Sequence, residues 1–285
     1  METLKNKIFI KAFNQCALGL SAAALLFSLP SCQEKPNDYA PALTIGGYTS
    51  SDEIASENLI AHWGFNGNLS DTISKEAGTN SGTAFVNGVK GMALKGANNG
   101  YVISNTPAAV QNLKSFTLTC WVNSPLNSNG IVGLVDISNT TAFWGNLTVF
   151  FENGGDANKG ILKIHVNNNG TDAWLGNYEL TSPWDKWMHL AVTYDAPSST
   201  FVVYVNGAQK DEKVIAGYGP IVFQNASKMV FGTVHFQTTP SLTSGAGKQD
   251  WASYLTGSLD EVRIYDKALS AEDIGFLQKL EAKGK

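Results

Sequence analysis

The sequence predicts an all-β fold, two antiparallel sheets packed as a jelly-roll sandwich, with one short helix at the C-terminal end. Two observations carry this. Between Leu59 and Tyr265, short segments of alternating apolar and polar residues recur between clusters of Gly, Asn, Asp and Ser, the pattern of half-buried strands. No long segment repeats at helical spacing until the end of the chain, where Ile274, Leu277 and Leu280 share a stripe. Strands throughout with Gly-rich turns lead to a sandwich rather than an α/β fold.

The elements follow in order. Residues 1–31 read as a targeting segment: Lys5, Lys7 and Lys11 precede an apolar run over 17–29, too short for an ordinary membrane-spanning helix. The run ends at Leu29-Pro-Ser-Cys32, which resembles a bacterial lipobox. The charged stretch Gln33-Glu-Lys-Pro-Asn-Asp38 is similar to the acidic signal that takes many Bacteroidetes lipoproteins to the cell surface. These resemblances imply a lipoprotein signal peptide over 1–31 and lipid on Cys32. They also imply a place at the outer membrane or cell surface, with membrane contact through the lipid anchor only. An ordinary secretory signal that happens to contain Cys32 is the alternative. Residues 32–57, rich in Pro, Gly, Ser, Asn and Asp, read as a flexible tether, and the folded domain is expected over 58–285.

Within that domain, strands are expected at 59–65, 101–104, 115–122, 131–137, 147–151, 161–166, 173–180, 187–194, 201–205, 230–234, 254–259 and 261–265. Asn206-Gly207, after Phe201-Val-Val-Tyr-Val205, predicts a tight type I′ hairpin, because both residues tolerate positive φ. Ser270 is placed to cap the final helix, with Asp273 three residues on at the positive end of its dipole.

Composition narrows the function. The formal net charge is −4, and its Lys-rich start makes the remainder more acidic still, so nucleic acid is excluded as a partner for want of a basic footprint. Of three cysteines, Cys16 leaves with the signal and Cys32 takes lipid, so Cys120 has no disulfide partner. It alternates with Phe116, Leu118 and Val122 and reads as a small core hydrophobe.

Six ordered blocks together resemble the laminin-G-like, concanavalin A-like lectin/glucanase superfamily. They are His62-Trp-Gly-Phe-Asn-Gly-Asn-Leu-Ser-Asp71, Gly91-Met-Ala-Leu-Lys-Gly-Ala-Asn-Asn-Gly-Tyr-Val102, Ser115-Phe-Thr-Leu-Thr-Cys-Trp-Val122, Trp187-Met-His-Leu-Ala-Val-Thr-Tyr-Asp195, Tyr204-Val-Asn-Gly207 and Gly257-Ser-Leu-Asp-Glu-Val-Arg-Ile-Tyr-Asp-Lys-Ala-Leu-Ser270. The resemblance implies a carbohydrate- or protein-binding face, and fold alone does not choose between them. It also implies a structural calcium between the opening loop and the terminal strand, held by Asn66, Asp71 and Asp260. Strand alternation sets Asp260 in line with Val262 and Ile264, where a carboxylate needs a partner or a metal. Calcium, which takes hard oxygen ligands, and hydrogen bonds from loop amides are both open readings of that carboxylate.

The seven tryptophans divide in two. Trp63, Trp121 and Trp187 fall on strands and read as packing. Trp144, Trp174, Trp184 and Trp251 lie beside loop signals, where large rigid rings stack on sugar faces at low entropic cost. Asn146, Asp172 and Asn167-Asn-Asn169 lie near them in sequence and suit hydroxyl recognition, against the alternative of buried loop anchors. His62, His165, His189 and His235 show no metal-ligand spacing and read as satisfied structural histidines. Glycoside cleavage needs two positioned carboxylates, and no Glu-x-Asp-x-x-Glu string occurs. Glu152, Asp156, Asp172, Glu179 and Asp185 are scattered. The expected function is non-catalytic carbohydrate binding by a surface lipoprotein, through loop aromatics and Asn/Asp side chains, the partner being a poly- or oligosaccharide. A protein-binding adhesion or assembly module, with a surface protein as partner, and a polysaccharide hydrolase or lyase are the alternatives.

Overall fold

The computed structural model describes residues 44–127, 130–153 and 156–285. The expected signal peptide and the lipidated Cys32 lie outside the described residues. Residues 44–285 form one compact unit of two antiparallel sheets. Its strands are β1 Leu59–Trp63, β2 Gly78–Ser81, β3 Ala84–Asn87, β4 Met92–Lys95, β5 Tyr101–Asn105, β6 Phe116–Asn123, β7 Ile131–Ile137, β8 Leu147–Asn153, β9 Lys159–Asn168, β10 Thr171–Thr181, β11 Met188–Asp195, β12 Thr200–Val205, β13 Ala208–Val214, β14 Lys228–Phe231, β15 Ala252–Ser253 and β16 Ser258–Tyr265. Helix α1 is the single turn Ala108–Gln111 and α2 is Ala271–Glu281. One sheet runs β13-β12-β11-β6-β16-β4-β3, with β1 also on β16; the other runs β10-β9-β8-β7-β14-β5-β2, with β15 beside β7. Among the described residues no helix is long and apolar enough to cross a membrane.

Alternation builds the core. Phe116, Leu118, Cys120 and Val122 of β6 and Leu190, Val192 and Tyr194 of β11 face Leu147, Val149 and Phe151 of β8 and Leu162, Ile164 and Val166 of β9. Cys120 is fully buried, and burial pushes its thiol up to about 12, so it is inert. The hairpin at Asn206-Gly207 has both residues at positive φ, 53° and 77°. The Ser270 hydroxyl accepts the Asp273 N–H at 3.1 Å, which starts α2, and Ile274, Leu277 and Leu280 are buried.

Three expectations are corrected. The domain does not begin at residue 58: Ile54 packs with Leu277 and Leu280 of α2, and Ser51 donates from its backbone N–H and its hydroxyl to the Lys285 carbonyl. Scattered apolar side chains in a Gly- and Ser-rich stretch give no periodic signal, yet Ile54, with Ile45, Tyr48 and Ala55 beside it, docks residues 44–57 on the C-terminal helix. The strands β2, β3, β4 and β13 are additional to the expected set. The side chains of β13 run exposed or half-buried along an outer edge, so it lacks an apolar face to read, and its charges suit an unpaired edge. The expected strands at 254–259 and 261–265 are replaced by the two-residue β15 and a single β16 with a bulge, where the register against β6 shifts between Asp260 and Arg263. Glu261 takes the left-handed φ of 45° there. The extra residue flips the alternation: Leu259, Val262 and Ile264 reach the core, and Asp260 does not.

Candidate functional site

The sheet carrying β7 to β10 has a second apolar cluster on its outer face. On β8, Phe151 and Val149 point into the main core, and Phe150 between them points outward. On β10, Ala173 and Leu175 point inward and Trp174 outward, directly across from His165 of β9. Two loops fold over this face. The 138–146 loop brings Phe143 and Trp144, and the segment between β14 and β15 brings Phe236 and Trp251. Trp144 is the hub: Phe150 stacks on it at 5.3 Å and 14°, Trp174 meets it edge-on at 5.1 Å and 89°, and Trp251 lies 6.2 Å away. Trp174 and Trp251 remain 39% and 40% exposed, while Trp144 is half-buried. Three of the four loop tryptophans thus converge into one aromatic surface.

The loops are pinned from below. The Asp136 carboxylate accepts the His235 backbone N–H at 3.1 Å, and its Oδ2 lies 3.0 Å from the His235 ring Nδ1. Burial works against protonation of His235, but the Asp136 charge outweighs it and raises the imidazole above its ordinary value. The Thr243 hydroxyl donates to the Ala142 carbonyl at 2.7 Å and ties the two loops together.

The other expected contacts sort differently. Trp184 does not join the surface: it packs edge-on against Phe151 at 5.9 Å and closes the main core. Asn146 is buried, donating to the Ser138 and Gln224 carbonyls and accepting the Gln224 N–H; it is a loop anchor and cannot reach a ligand. Asn168 likewise donates to Tyr218 and Pro220 carbonyls and accepts from Val222. Asp172 lies exposed on the same face of β10 as Trp174 and accepts from Asn167 at 2.6 Å. It also lies 2.9 Å from His165 Nε2. Burial holds His165 below its ordinary value, so the neutral ring donates to Asp172. Composition near a loop does not separate these cases, because every one of these Asn and Trp residues sits beside the same turn residues.

The expected calcium ligands are placed as amide acceptors instead. Asp71 accepts the N–H groups of His62, Ile73 and Ser74 and the Ser74 hydroxyl. Asp260 accepts from Val89 at 2.7 Å, Lys90 at 3.2 Å and Glu261 at 2.8 Å. Asn66 Oδ1 accepts the Met92 N–H at 2.6 Å. Asn66 and Asp260 therefore grip the same β3–β4 turn, and Asp71 folds its own loop onto β1. Each of these side-chain oxygens already faces N–H or O–H hydrogens, so the set does not fit a calcium cage, and among the described residues no group of three or more His, Cys, Asp or Glu is placed for a metal. Of the two readings of Asp260, hydrogen bonds from loop amides are what the geometry displays.

Beneath α2 lies an ionic network that periodicity does not signal. Arg263, buried on β16, bonds Glu261 at 2.5 Å and Asp52 at 2.7 Å through Nη2, and its Nε lies 2.8 Å from Glu281 of α2. Trp121 Nε1 donates to Glu281 at 2.7 Å, and His62 Nε2 lies 3.0 Å from Glu261. Burial, reinforced by Glu261, pushes Glu281 up against the pull of Arg263. His189 next to it has no hydrogen-bond partner on either ring nitrogen, and burial and the Arg263 charge hold it down to about 3, hence neutral. This corrects the expectation that it is satisfied. The network docks the C-terminal helix on the sheet opposite the aromatic surface.

Comparison with known proteins agrees with this architecture. The sequence profile of the Concanavalin A-like lectin/glucanases superfamily matches residues 95–275. No curated protein matches in sequence. Among solved structures, the binding domain of Paraclostridial Mosquitocidal Protein 1 aligns at a TM-score of 0.58 and 18% identity, covering 78% of this chain and 52% of that one. Domain 4 of AbnA, an extracellular arabinanase of Geobacillus stearothermophilus, in complex with arabinotriose, aligns at 0.50 and 22% identity, covering 77% and 98%. Botulinum neurotoxin type C, whose cell entry depends on two ganglioside molecules, aligns at 0.56 and 14%, covering 81% and 53%. The chain thus spans about half the length of the toxin chains it matches. At these identities the likeness is one of fold.

Proposed function

This chain belongs to the Concanavalin A-like lectin/glucanases superfamily, and from that premise we propose that it binds a poly- or oligosaccharide without cleaving it. The observation that carries the reading is the aromatic surface: two tryptophan rings, Trp174 and Trp251, left about two-fifths exposed and held by a third, Trp144. Exposed apolar rings of this size are a cost unless a ligand covers them, and a sugar's C–H face is a fitting cover. Asp172, exposed on the same strand face and held from beneath by the buried His165, supplies polar atoms at the rim. The exposed carboxylates on this sheet face are engaged: Glu152 with Lys163, Glu179 with Lys159 and Asp172 with Asn167. That favours recognition over acid–base cleavage, which needs two free carboxyl groups on either side of one bond. The proposal includes a lipid on Cys32 that tethers the domain at the outer membrane or cell surface; the sequence around Cys32 supports it.

A glycan array followed by tryptophan-fluorescence titration tests the binding. Trp174→Ala and Trp251→Ala are each expected to weaken it by about tenfold or more while melting temperature holds. An array without hits, or release of reducing ends or unsaturated products from any polysaccharide bound, refutes the reading. Mass spectrometry of membrane fractions from wild type and Cys32→Ser tests the anchor.

A further inference from the structure

Next to the aromatic surface the structure holds a cleft of about 310 Å³ lined by Gly130, Ile131, Glu152, Asn153 and Trp251. Its Trp251 wall is fixed. The Trp251 carbonyl accepts the Ile131 N–H at 2.9 Å, β15 pairs with the start of β7 directly after it, and the Ser253 hydroxyl donates to the Ile131 carbonyl at 2.8 Å. The backbones meet so closely that a Cβ on Gly130 would stand 1.8 Å from the Trp251 carbonyl oxygen, and Gly130 takes a φ of 64°. Only glycine suits that position. The polar wall is fixed as well: Glu152 of β8 pairs with Lys163 of β9 at 2.8 Å, both side chains partly exposed, on the outward side that also carries Phe150.

We infer that this cleft is a selectivity subsite for neutral glycans bearing adjacent hydroxyls, with Trp251 stacking one sugar ring and Glu152, paired to Lys163, binding its hydroxyls. The inference rests on the carbohydrate-binding reading and specifies its ligand. A hydroxyl both donates and accepts, so two neighbouring hydroxyls satisfy a carboxylate acceptor and an ammonium donor together, and hydrogen bonds to charged groups are the strong ones. A uronate or sulfated sugar meets the opposite situation. Its anion would lie against Glu152, while Lys163, which pairs with Glu152, is already neutralised by that carboxylate. Like charges placed together without a counterion reject a ligand more effectively than a missing contact does.

The test compares wild type, Glu152→Gln, Lys163→Met and Trp251→Ala by affinity electrophoresis and calorimetry. The probes are arabinan, xylan and glucomannan as neutral polysaccharides, and polygalacturonate and alginate as anionic ones. Melting curves check that each variant folds. Wild type is expected to bind at least one neutral polysaccharide, with little dependence on salt, and neither uronate polymer. Glu152→Gln is expected to lose about tenfold or more on the neutral ligand and to gain measurable uronate binding as Lys163 is freed. Lys163→Met is expected to weaken the neutral ligand without gaining uronate. If Trp251→Ala abolishes binding but Glu152→Gln and Lys163→Met leave it unchanged, the subsite is refuted and the carbohydrate reading stands. Wild-type binding to uronates as tight as to neutral glycans also refutes it. No binding to either set overturns both.

Discussion

Replacing Arg263 by Met tests how the C-terminal helix is held. The side chain is fully buried and is the one guanidinium between two equally buried carboxylates, Glu261 and Glu281, with the exposed Asp52 as a third partner. Methionine fills much of the same volume, so the change removes charge more than packing. Glu261 then keeps only His62, and Glu281 only the Trp121 N–H. Removing one partner of a buried pair costs about 3–5 kcal/mol, since it leaves an uncompensated charge. For a domain of this size each kcal/mol lowers the melting temperature by about 2–4 °C, so Arg263→Met should melt roughly 6–20 °C below wild type. Urea unfolding followed by tryptophan fluorescence at pH 7 gives the free energy. Wild-type Glu261 is held below its ordinary value, against its own burial, by the hydrogen bond from His62 and the charge of Arg263. Its contribution is therefore present above the unfolded-state carboxylate range and is lost as pH falls through the folded value. The gap between wild type and Arg263→Met should accordingly narrow below about pH 4.5. Adding Glu261→Gln and Glu281→Gln should restore most of the loss. A loss under about 1 kcal/mol, or a gap that does not change with pH, would show that the network does not hold the helix.

Other outcomes follow from the same contacts. Ile54→Ala should cost about 2–4 kcal/mol in urea unfolding because Ile54 packs under α2; a neutral change would return residues 44–57 to the status of a tether. Trp184→Ala should lower the melting temperature through its contact with Phe151 and leave glycan affinity unaltered, the reverse of Trp174→Ala; matching phenotypes for the two variants would show that the two rings do not differ in role. Asp260 is pushed up to about 7, chiefly by burial. The native state thus holds a proton that the unfolded chain has released above about pH 4, so this group's stabilisation is full below that pH and is lost as pH rises through 7. In Asp260→Asn the pH slope of stability between 5 and 7 should change by about 1.4 kcal/mol per pH unit, and an unchanged slope counts against the shift. Calcium or a chelator should leave the melting temperature in place, because the oxygens of Asp71, Asp260 and Asn66 serve loop amides; a calcium-dependent rise would overturn that geometry.

Legibility in the sequence followed the range of the interactions. The alternation in 131–137 reproduced β7 residue for residue, and Ser270 and Asn206-Gly207 marked a cap and a hairpin, because each depends on neighbours within a few positions. The same alternation failed at Asp260, where one left-handed residue, Glu261, shifts the parity of the strand. A bulge at a non-glycine residue leaves no local mark. It also failed for β13, whose side chains bury almost nothing. In the candidate site, tryptophan beside turn residues marks Trp144, Trp174 and Trp251, which share one surface, and equally Trp184, which packs against Phe151 in the main core. The partners that complete the surface, Phe150, Phe143 and Phe236, carry no local mark, because an outward-facing aromatic beneath a loop has the same local pattern as an inward-facing one.

By itself the sequence determined the all-β class, most strand positions, the closing helix and its cap, and the buried free cysteine. Each follows from side-chain periodicity and turn chemistry, which act along the chain. Only tertiary structure decided which tryptophans share a surface, that Asn146 anchors while Asp172 reaches solvent, and that Arg263 locks Glu281 from eighteen residues further on. Those outcomes depend on loops from distant parts of the chain meeting on one sheet face, and on which donors arrive beside each carboxylate when they do.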